Sequence, residues 1–490
     1  MKMGLFFPNT GAKLCMLCGV ISEVFLGALM KPKTAIQSFL AKTLDSSTFT
    51  WRQILNLTFP SMLDSMSITF IGVLITALIS ENGESSVAAV SLVGPIINLI
   101  TCMFSGIAAG GTVVVAQYRG AGDETRLRRC IGGVLWLTVS VGVAACMPFL
   151  LFPRQILAML YRDADSLVME KAVVYLAGCV WTVIVFTLYT AAFSILRGLG
   201  EAKKCLHLSV VINVAYLVFS FLFLNILHQD IRGSVRALML ARVIGAAAAL
   251  VSLLIHKAPI KLKVSDIFSF DRRVLSATLK VSIPLGLEQI FASCGGLVSQ
   301  MYLIRLGTTA VAVNAIVNAL QGFLYSPAAS VSNVAVAVVG RCAGAEKREE
   351  AYLYGKRCCQ MSLFMLTAAC LIFYPLLPVL LTPYRLTGEA SSMTAKILVA
   401  AIPFLLICWS YSNVMPNVLR AGSDTVFPSA VSLAVMWTVS IGMGYLLAMP
   451  AGLGLWGTWL AAWGAWTVRA GIFLARFRSR KWLRGSVARA

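Results

Sequence analysis

The chain has 490 residues, of which 59% are hydrophobic and 12% are charged, and its mean hydropathy is +0.83. A soluble globular domain carries about twice that charged fraction, so the composition excludes that class and indicates an integral membrane protein. The formal net charge of +21 would suit nucleic-acid binding, but the basic residues concentrate in alternate loops between apolar segments. Because this asymmetry orients membrane helices, we expect no nucleic-acid partner and expect the basic loops to meet anionic lipid headgroups.

Residues 1–50 come before the first span. We interpret them as an N-terminal extension and interfacial lead-in rather than a signal peptide, because Glu23 interrupts the apolar stretch and no small-residue cleavage site follows. Thr50 is suited to cap the helix that follows.

Twelve apolar segments follow, each long enough to cross a hydrocarbon core of about 30 Å as a helix. They do not alternate in polarity as the strands of a membrane barrel do. We therefore predict an all-α integral membrane protein with twelve transmembrane helices. The predicted spans are residues 53–80, 87–117, 130–152, 168–196, 206–227, 234–256, 274–304, 308–340, 357–381, 393–419, 426–449 and 452–475.

The twelve segments form two similar sets of six. The sequence FPSMLD at residues 59–64 is matched by IPLGLE at residues 283–288, proline against proline and acid against acid, at an offset of 224. Six spans per repeat give both halves the same orientation in the membrane. We therefore predict two parallel-repeat six-helix bundles related by a pseudo-two-fold axis along the membrane normal.

The repeat and the basic loops together predict how the chain is divided. We expect a monomeric, multi-pass cell-membrane protein, with both termini in the cytoplasm because of the basic loops. The predicted parts are the extension at 1–50, a first six-helix bundle at 51–256, a cytoplasmic linker at 257–273, a second six-helix bundle at 274–477 and a basic cytoplasmic tail at 478–490.

Three further motifs accompany the repeated prolines: GGTVVVAQYRGAGD at 110–123, its echo GRCAGAEKRE at 340–349, and the pair LRGLGE at 196–201 and LRAGSD at 419–424. In this order and spacing, the chain from about residue 51 to 477 resembles the multidrug and toxic compound extrusion (MATE) family. The resemblance implies two bundles flanking a central cavity, with substrate export driven by a sodium or proton gradient. We predict that the residues after Leu196 and Leu419 form tight turns.

Two acids within predicted spans, Asp64 and Glu288, are the candidates for ion coupling. An ionised carboxylate inside the membrane is costly unless it is paired, hydrated or protonated, and so it marks a functional site. The alternative is a structural role in a bent helix. Pro60 and Pro284 interrupt the same two helices and are candidate hinges, the alternative being static kinks. The resemblance fails nearby, since the acids that many family members carry in the first and fifth spans are missing here.

Polar amides within the spans are candidates for lining a substrate cavity, with interhelical hydrogen bonding as the alternative interpretation. These residues are Asn98, Asn213, Asn314, Asn318, Gln321, Asn413 and Asn417.

The predicted function is ion-coupled secondary active export of amphipathic organic compounds by alternating access. No nucleotide-binding, hydrolase or metalloprotease motif occurs, so we predict that the chain is not an enzyme. We expect no metal site and no cofactor, with a sodium ion or proton as the coupling ion and a small organic molecule as the partner. The alternatives are a flippase for lipid-linked oligosaccharides and a membrane scaffold or receptor that does not transport.

The charge asymmetry makes the topology testable. A cysteine replacing Ser265, in the predicted linker, should react with a membrane-impermeant thiol reagent only when the reagent reaches the cytoplasmic face. Labelling of that cysteine in intact cells would contradict the predicted orientation.

Overall fold

In the computed structural model, the described residues are 50–80, 84–161, 166–227, 229, 231–254, 271–384 and 388–483. They are almost entirely helical, and no β-strand occurs among them. Ten of the helices in these ranges are long and apolar enough to cross a membrane. Trp51–Ser80 and Gly454–Arg478, of 30 and 25 residues, complete the twelve predicted spans. The predicted all-α, twelve-helix fold is confirmed.

We number the spans in chain order. They are α1 (Trp51–Ser80), α2 (Glu84–Ala121), α3 (Glu124–Leu151), α4 (Ser166–Gly198), α5 (Ala202–Ile226), α6 (Ile231–Leu254), α7 (Arg272–Ile304), α8 (Thr308–Gly344), α9 (Arg348–Leu381), α10 (Gly388–Ala421), α11 (Val426–Ala448) and α12 (Gly454–Arg478). A short helix, Pro153–Leu160, follows α3. Helices α5, α10 and α11 each contain a π-helical stretch, at Phe221–Ile226, Leu405–Trp409 and Met436–Met443.

The helix bounds repeat as the sequence predicts. An offset of 224 carries α2, Glu84–Ala121, onto α8, Thr308–Gly344, to within one residue. An offset of 223 carries α6 onto α12 equally well. The two sets of six helices therefore follow one another in the same order and direction. The predicted domain boundaries stay predictions, because residues 1–49, 255–270 and 484–490 lie outside the described part of the chain.

Side-chain caps fix the beginnings of several helices. The Thr50 amide donates to Gln53 Oε1 (2.9 Å) and the Gln53 amide donates to Thr50 Oγ1 (3.4 Å), a reciprocal cap at the start of α1. Asp271 accepts from the Arg273 amide (2.9 Å) at the start of α7 and from Arg129 Nη1 of α3 (3.2 Å). The amide of Arg273 and the guanidinium of Arg129 hold the pKa of Asp271 below its ordinary value.

Helices α2 and α7 bring the two halves together midway along their lengths. A Cβ atom on Gly106 would lie only 2.6 Å from the amide nitrogen of Gly286, so the two backbones touch. Ser282 Oγ donates to the Ile107 carbonyl (3.2 Å), and Cys102 Sγ lies 3.1 Å from Ser293 Oγ. Small residues permit this close approach, as is usual where membrane helices cross.

Helices α2 and α8 meet at the end of the spans that carries the basic loops, which we call the basic end. A Cβ on Gly120 would lie 2.9 Å from Arg341 Cα, and a Cβ on Gly344 would lie 2.8 Å from Gln117 Cα. The offset of 224 exchanges these two contacts, since it carries 120 onto 344 and 117 onto 341. A pseudo-two-fold axis therefore runs between α2 and α8, as the parallel repeat requires.

Hydrogen bonds extend this contact to the turns after α4 and α10. Gln117 Nε2 donates to the Ala421 carbonyl (2.7 Å), and Ser423 Oγ lies 3.1 Å from Gln117 Oε1, to which it donates. In the position related by the pseudo-two-fold axis, Arg341 Nη2 donates to the Leu199 carbonyl (2.9 Å). Each half thus reaches into a turn of the other half, and the two halves close against each other at the basic end.

Helix α7 is more exposed toward the opposite end of the spans. In α7 the consecutive residues Gly296, Leu297 and Val298 are all exposed, the last two by 49% and 37%. Consecutive helical residues point in three different directions, so this part of α7 is uncovered on more than its lipid-facing side. This part of α7 is therefore less covered by the described residues than its crossing with α2 is.

The basic-end contact leaves no room for a side chain at Gly344. Gly344→Val should push α8 away from α2, because the new Cβ meets the backbone of Gln117 rather than a flexible side chain. Spin labels at Lys203→Cys and Arg348→Cys should then report a longer distance across the basic end. Gly296→Val is the matched control, since a Cβ there meets nothing within 4 Å. Equal distances in the two variants would show that the contact does not depend on Gly344.

Candidate functional site

The first half holds a buried acid–arginine pair near the basic end. Asp64 of α1 is only 3% exposed, and its Oδ2 lies 3.6 Å from Arg197 Nη2, at the end of α4. Ser209 of α5 lies beside the carboxylate. Asp64 Oδ1 is buried without a hydrogen-bond partner among the described residues. The Arg197 guanidinium also stacks over the Phe193 ring, 4.7 Å from its centroid.

The second half holds a corresponding, tighter pair. Glu288 Oε2 of α7 accepts from Arg420 Nη2 of α10 in a short charged contact, and Ser429 Oγ of α11 donates to the same oxygen (2.7 Å). Arg420 Nη1 donates to Asn417 Oδ1 (2.8 Å). The guanidinium of Arg469, on α12, adds a second positive charge close to Glu288. Four helices therefore converge on this carboxylate.

The two pairs are related by the internal repeat. An offset of 224 carries Asp64 onto Glu288, and an offset of 223 carries Arg197 onto Arg420. The predicted tight turns are present, since Gly200 and Ser423 have φ angles of 73° and 76°. Three residues before each of these positions, Arg197 or Arg420 contacts the acid of the first helix in its own half. A tight turn alone does not require this contact.

Sequence reasoning missed Arg197, Arg420 and Ser429 as site residues. A signal existed, because an acid and a basic residue recur together in both repeats at nearly the same offset. Opposite charges that recur together in two apolar halves indicate a pair, since an unpaired charge inside a membrane is costly.

The predicted cavity residues do not form a single cluster. Asn417 belongs to the Glu288 site through Arg420, and Gln321 is only 2% exposed, with Nε2 unpartnered among the described residues. Asn318 Nδ2 donates to the Asn314 carbonyl (2.9 Å) and Asn413 Nδ2 donates to the Trp409 carbonyl (3.0 Å). These two bonds lie within single helices and do not join neighbouring ones.

The other two amides differ in environment. Asn98 of α2 is exposed, whereas Asn213 of α5 is partly buried within the first half. Substrate contact by any of the seven amides stays a prediction.

The candidate hinges lie close to these sites. Pro60 lies inside α1, one turn before Asp64. Pro284 lies inside α7, between Ser282 and Gly286, the two residues that meet α2 of the other half. A bend at Pro284 would therefore move the interface between the halves, but hinge motion itself stays a prediction.

This geometry gives the two acids different chemical capacities. Glu288 is held by a buried guanidinium and a hydroxyl, so it is neutralised in place. Asp64 has a longer ion pair, an arginine whose side chain is 32% exposed, and one oxygen without a hydrogen-bond partner among the described residues. Asp64 is therefore the less firmly held of the two acids. Among the described residues no three His, Cys, Asp or Glu side chains are grouped as metal ligands.

The contrast between the pairs predicts different stabilities for the two neutral variants. Glu288→Gln leaves the Arg420 charge buried without its carboxylate and should destabilise the protein by about 3 kcal/mol. Asp64→Asn should cost less than about 1 kcal/mol, because Arg197 can turn to solvent. The midpoint of thermal unfolding in nanodiscs measures both effects. Equal midpoints for the two variants would contradict this ranking, and replacing Arg420 by Met together with Glu288→Gln should recover part of the loss.

Known proteins agree with this fold. The MatE family model matches residues 60–257 and 284–446. The "Uncharacterized transporter YisQ" of Bacillus subtilis is 24% identical over 445 residues, covering 89% of this chain and 96% of that protein. The "Probable multidrug resistance protein NorM" of Thermotoga maritima is 22% identical over 449 residues, covering 89% and 94%.

A solved structure described as an outward-facing conformation of a multidrug resistance MATE family transporter of the MOP superfamily superposes with a TM-score of 0.79 at 19% identity, covering 87% of this chain and 95% of its own. The family match covers well over half of this chain, on both repeats. The chain belongs to the MatE family, whose members are multi-pass membrane transporters and not enzymes.

Proposed function

We propose that this protein exports amphipathic organic compounds by alternating access, with the two six-helix halves moving against each other. The observation that supports this most is the asymmetry between the ends of the spans. The halves are joined by paired contacts of Gln117 and Arg341 at the basic end, whereas α7 is broadly exposed toward the other end. Multidrug resistance proteins among the relatives support the substrate class.

The direction of transport follows from the charge asymmetry. If the basic loops are cytoplasmic, as positive charge near span ends favours, the closed basic end faces the cytoplasm and the open end faces outward. The conformation described here is then the outward-open state that releases substrate. The same asymmetry supports both termini inside and anionic headgroups at the basic loops. A monomer in the cell membrane is part of the proposal.

Asp64 is the proposed coupling group for a proton or sodium ion, with Glu288 as its less exchangeable counterpart. Binding of a proton or cation at the free Asp64 oxygen would release Arg197, which lies at the end of α4, next to the turn that Arg341 of the other half contacts through Leu199. Occupancy of Asp64 would thereby bias the basic-end contact. The bias is limited to the difference in ion affinity between the two states.

The flippase alternative requires a strongly basic cavity for a pyrophosphate headgroup. Arg197 and Arg420 face Asp64 and Glu288 instead, so these guanidinium charges are already compensated. A scaffold or receptor would give no reason for a contact that the repeat exchanges between halves. Both alternatives are less well supported than export.

A coupling role for Asp64 predicts a specific loss. Asp64→Asn should fold and bind substrate but lose gradient-driven export in proteoliposomes, together with its dependence on pH or sodium, because the amide cannot exchange an ion. Glu288→Gln should retain more transport. Substrate-stimulated proton or sodium flux, followed with a pH-sensitive dye or radioactive sodium, identifies the ion.

Asp424→Asn is the matched control, since Asp424 pairs with Arg476 (2.7 Å) at the basic end of the second half and has no proposed coupling role. If Asp64→Asn transports at an unchanged rate and with unchanged ion dependence, Asp64 is structural and the coupling mechanism is wrong.

A further inference from the structure

The first half contains an arginine that none of the interactions above explains. Arg242 lies at the middle of α6, Ile231–Leu254, and therefore near the centre of the membrane. Leu240 and Ile244, two residues to either side, are 39% and 38% exposed and mark the lipid-facing stripe. Because two helical residues are separated by about 200°, Arg242 points away from lipid into the first bundle. The residue as a whole is partly buried.

The immediate partners of Arg242 are uncharged. Its Nη1 donates to Thr182 Oγ1 of α4 (2.6 Å), and its guanidinium lies 4.6 Å from the centroid of the Phe186 ring. Neither contact neutralises the charge. A guanidinium has five N–H donors, and Thr182 is the one hydrogen-bond acceptor it has among the described residues.

Among the described residues, the groups that act most strongly on the charge of Arg242 include no carboxylate. The titratable groups that act on its charge most strongly are Tyr175 and Cys179 of α4, Tyr216 of α5 and Cys146 of α3. Phenols and thiols are neutral at neutral pH. Residues 68–80 of α1, whose side chains the structure does not describe, contain no Asp or Glu in the sequence.

The other intramembrane arginines are different. Arg197 faces Asp64, and Arg420 and Arg469 face Glu288. A charge without a counter-ion in the membrane interior is costly, and such residues line substrate or ion pathways. Arg242 differs from these three arginines in facing no carboxylate among the described residues.

We propose that Arg242 binds the carboxylate of an amphipathic, aromatic substrate. A guanidinium can hold a carboxylate by two parallel hydrogen bonds, and binding would supply the counter-ion that Arg242 lacks among the described residues. The apolar part of the ligand would pack on the rings around the arginine, where Phe186 stacks with Tyr189 (5.5 Å) and meets Phe104 edge to face (6.4 Å). Asn213, three residues before Tyr216 on α5, lies on the same helix face as that tyrosine and extends the site.

This inference rests on the proposed export function and gives its substrate class as organic anions. The site lies in the first bundle, apart from the ion pair of Asp64, so substrate and coupling ion would occupy different groups. Equilibrium binding without an ion gradient tests the Arg242 site, whereas gradient-driven efflux tests export. A failure of one is therefore distinguishable from a failure of the other.

The test uses the full-length protein in nanodiscs and two fluorescent probes, 4-(1-pyrenyl)butyrate and its neutral carboxamide. The wild-type protein should bind the carboxylate about tenfold more tightly than the amide, which corresponds to one charge-assisted interaction of about 1.4 kcal/mol. Arg242→Gln should remove this preference, and Arg242→Lys should retain part of it, because an ammonium keeps the charge without the planar fork.

Arg236→Gln is the matched control. Arg236 is an exposed arginine of the same helix whose Nη1 donates to Gln229 Oε1 (2.9 Å), and its loss should leave the preference unchanged. Equal affinities of the wild-type protein for the two probes would overturn the proposal without any variant. So would a preference that survives in Arg242→Gln or disappears in Arg236→Gln.

Discussion

The cost of placing charge in hydrocarbon governs the arrangement of this protein. A membrane-embedded carboxylate or guanidinium is tolerated when another group compensates it, and each half meets this requirement by setting the acid of its first helix against the arginine that ends its fourth. Asp64–Arg197 and Glu288–Arg420 therefore tie the first and fourth spans of each bundle together. The turn that follows each arginine carries the contact between the halves, so charge compensation and closure use adjacent residues.

The internal repeat places a contact between the halves at two symmetry-related positions, but the residues that make it differ chemically. Gln117 and Arg341 are equivalent positions that both reach into a turn of the opposite half, one as an amide and the other as a cation. The acid–arginine pairs differ similarly: Glu288 is fixed by a buried arginine and Ser429, whereas one Asp64 oxygen has no hydrogen-bond partner among the described residues. A symmetric framework thus holds one acid firmly and the other loosely.

Much of the fold could be predicted from the sequence because apolar runs of span length and a repeat at a constant offset are local or periodic signals. The matching prolines and acids at 60, 64, 284 and 288 are enough to identify the two halves. The partners of the acids were not predicted, since Arg420 is 132 residues from Glu288 and helix packing, not spacing, brings them together. Likewise, the spacing of Asn314 and Asn318 gave no sign that Asn318 would bond within its own helix.

Arg242 shows a second limit of the sequence. Its position within a span was evident from the sequence, but whether a carboxylate faces it depends on helix packing. At the offset of 223 that carries α6 onto α12, the equivalent position in the second half is Ala465, and its neighbour Trp466 meets the Tyr325 ring edge to face (6.0 Å). The halves therefore differ at this position, since the first carries Arg242 beside the Phe186 ring and the second carries an alanine. Because an amphipathic molecule has both a charged and an apolar part, the combination of Arg242 with aromatic rings suits such a ligand. The internal repeat does not place a copy of this combination in the second half.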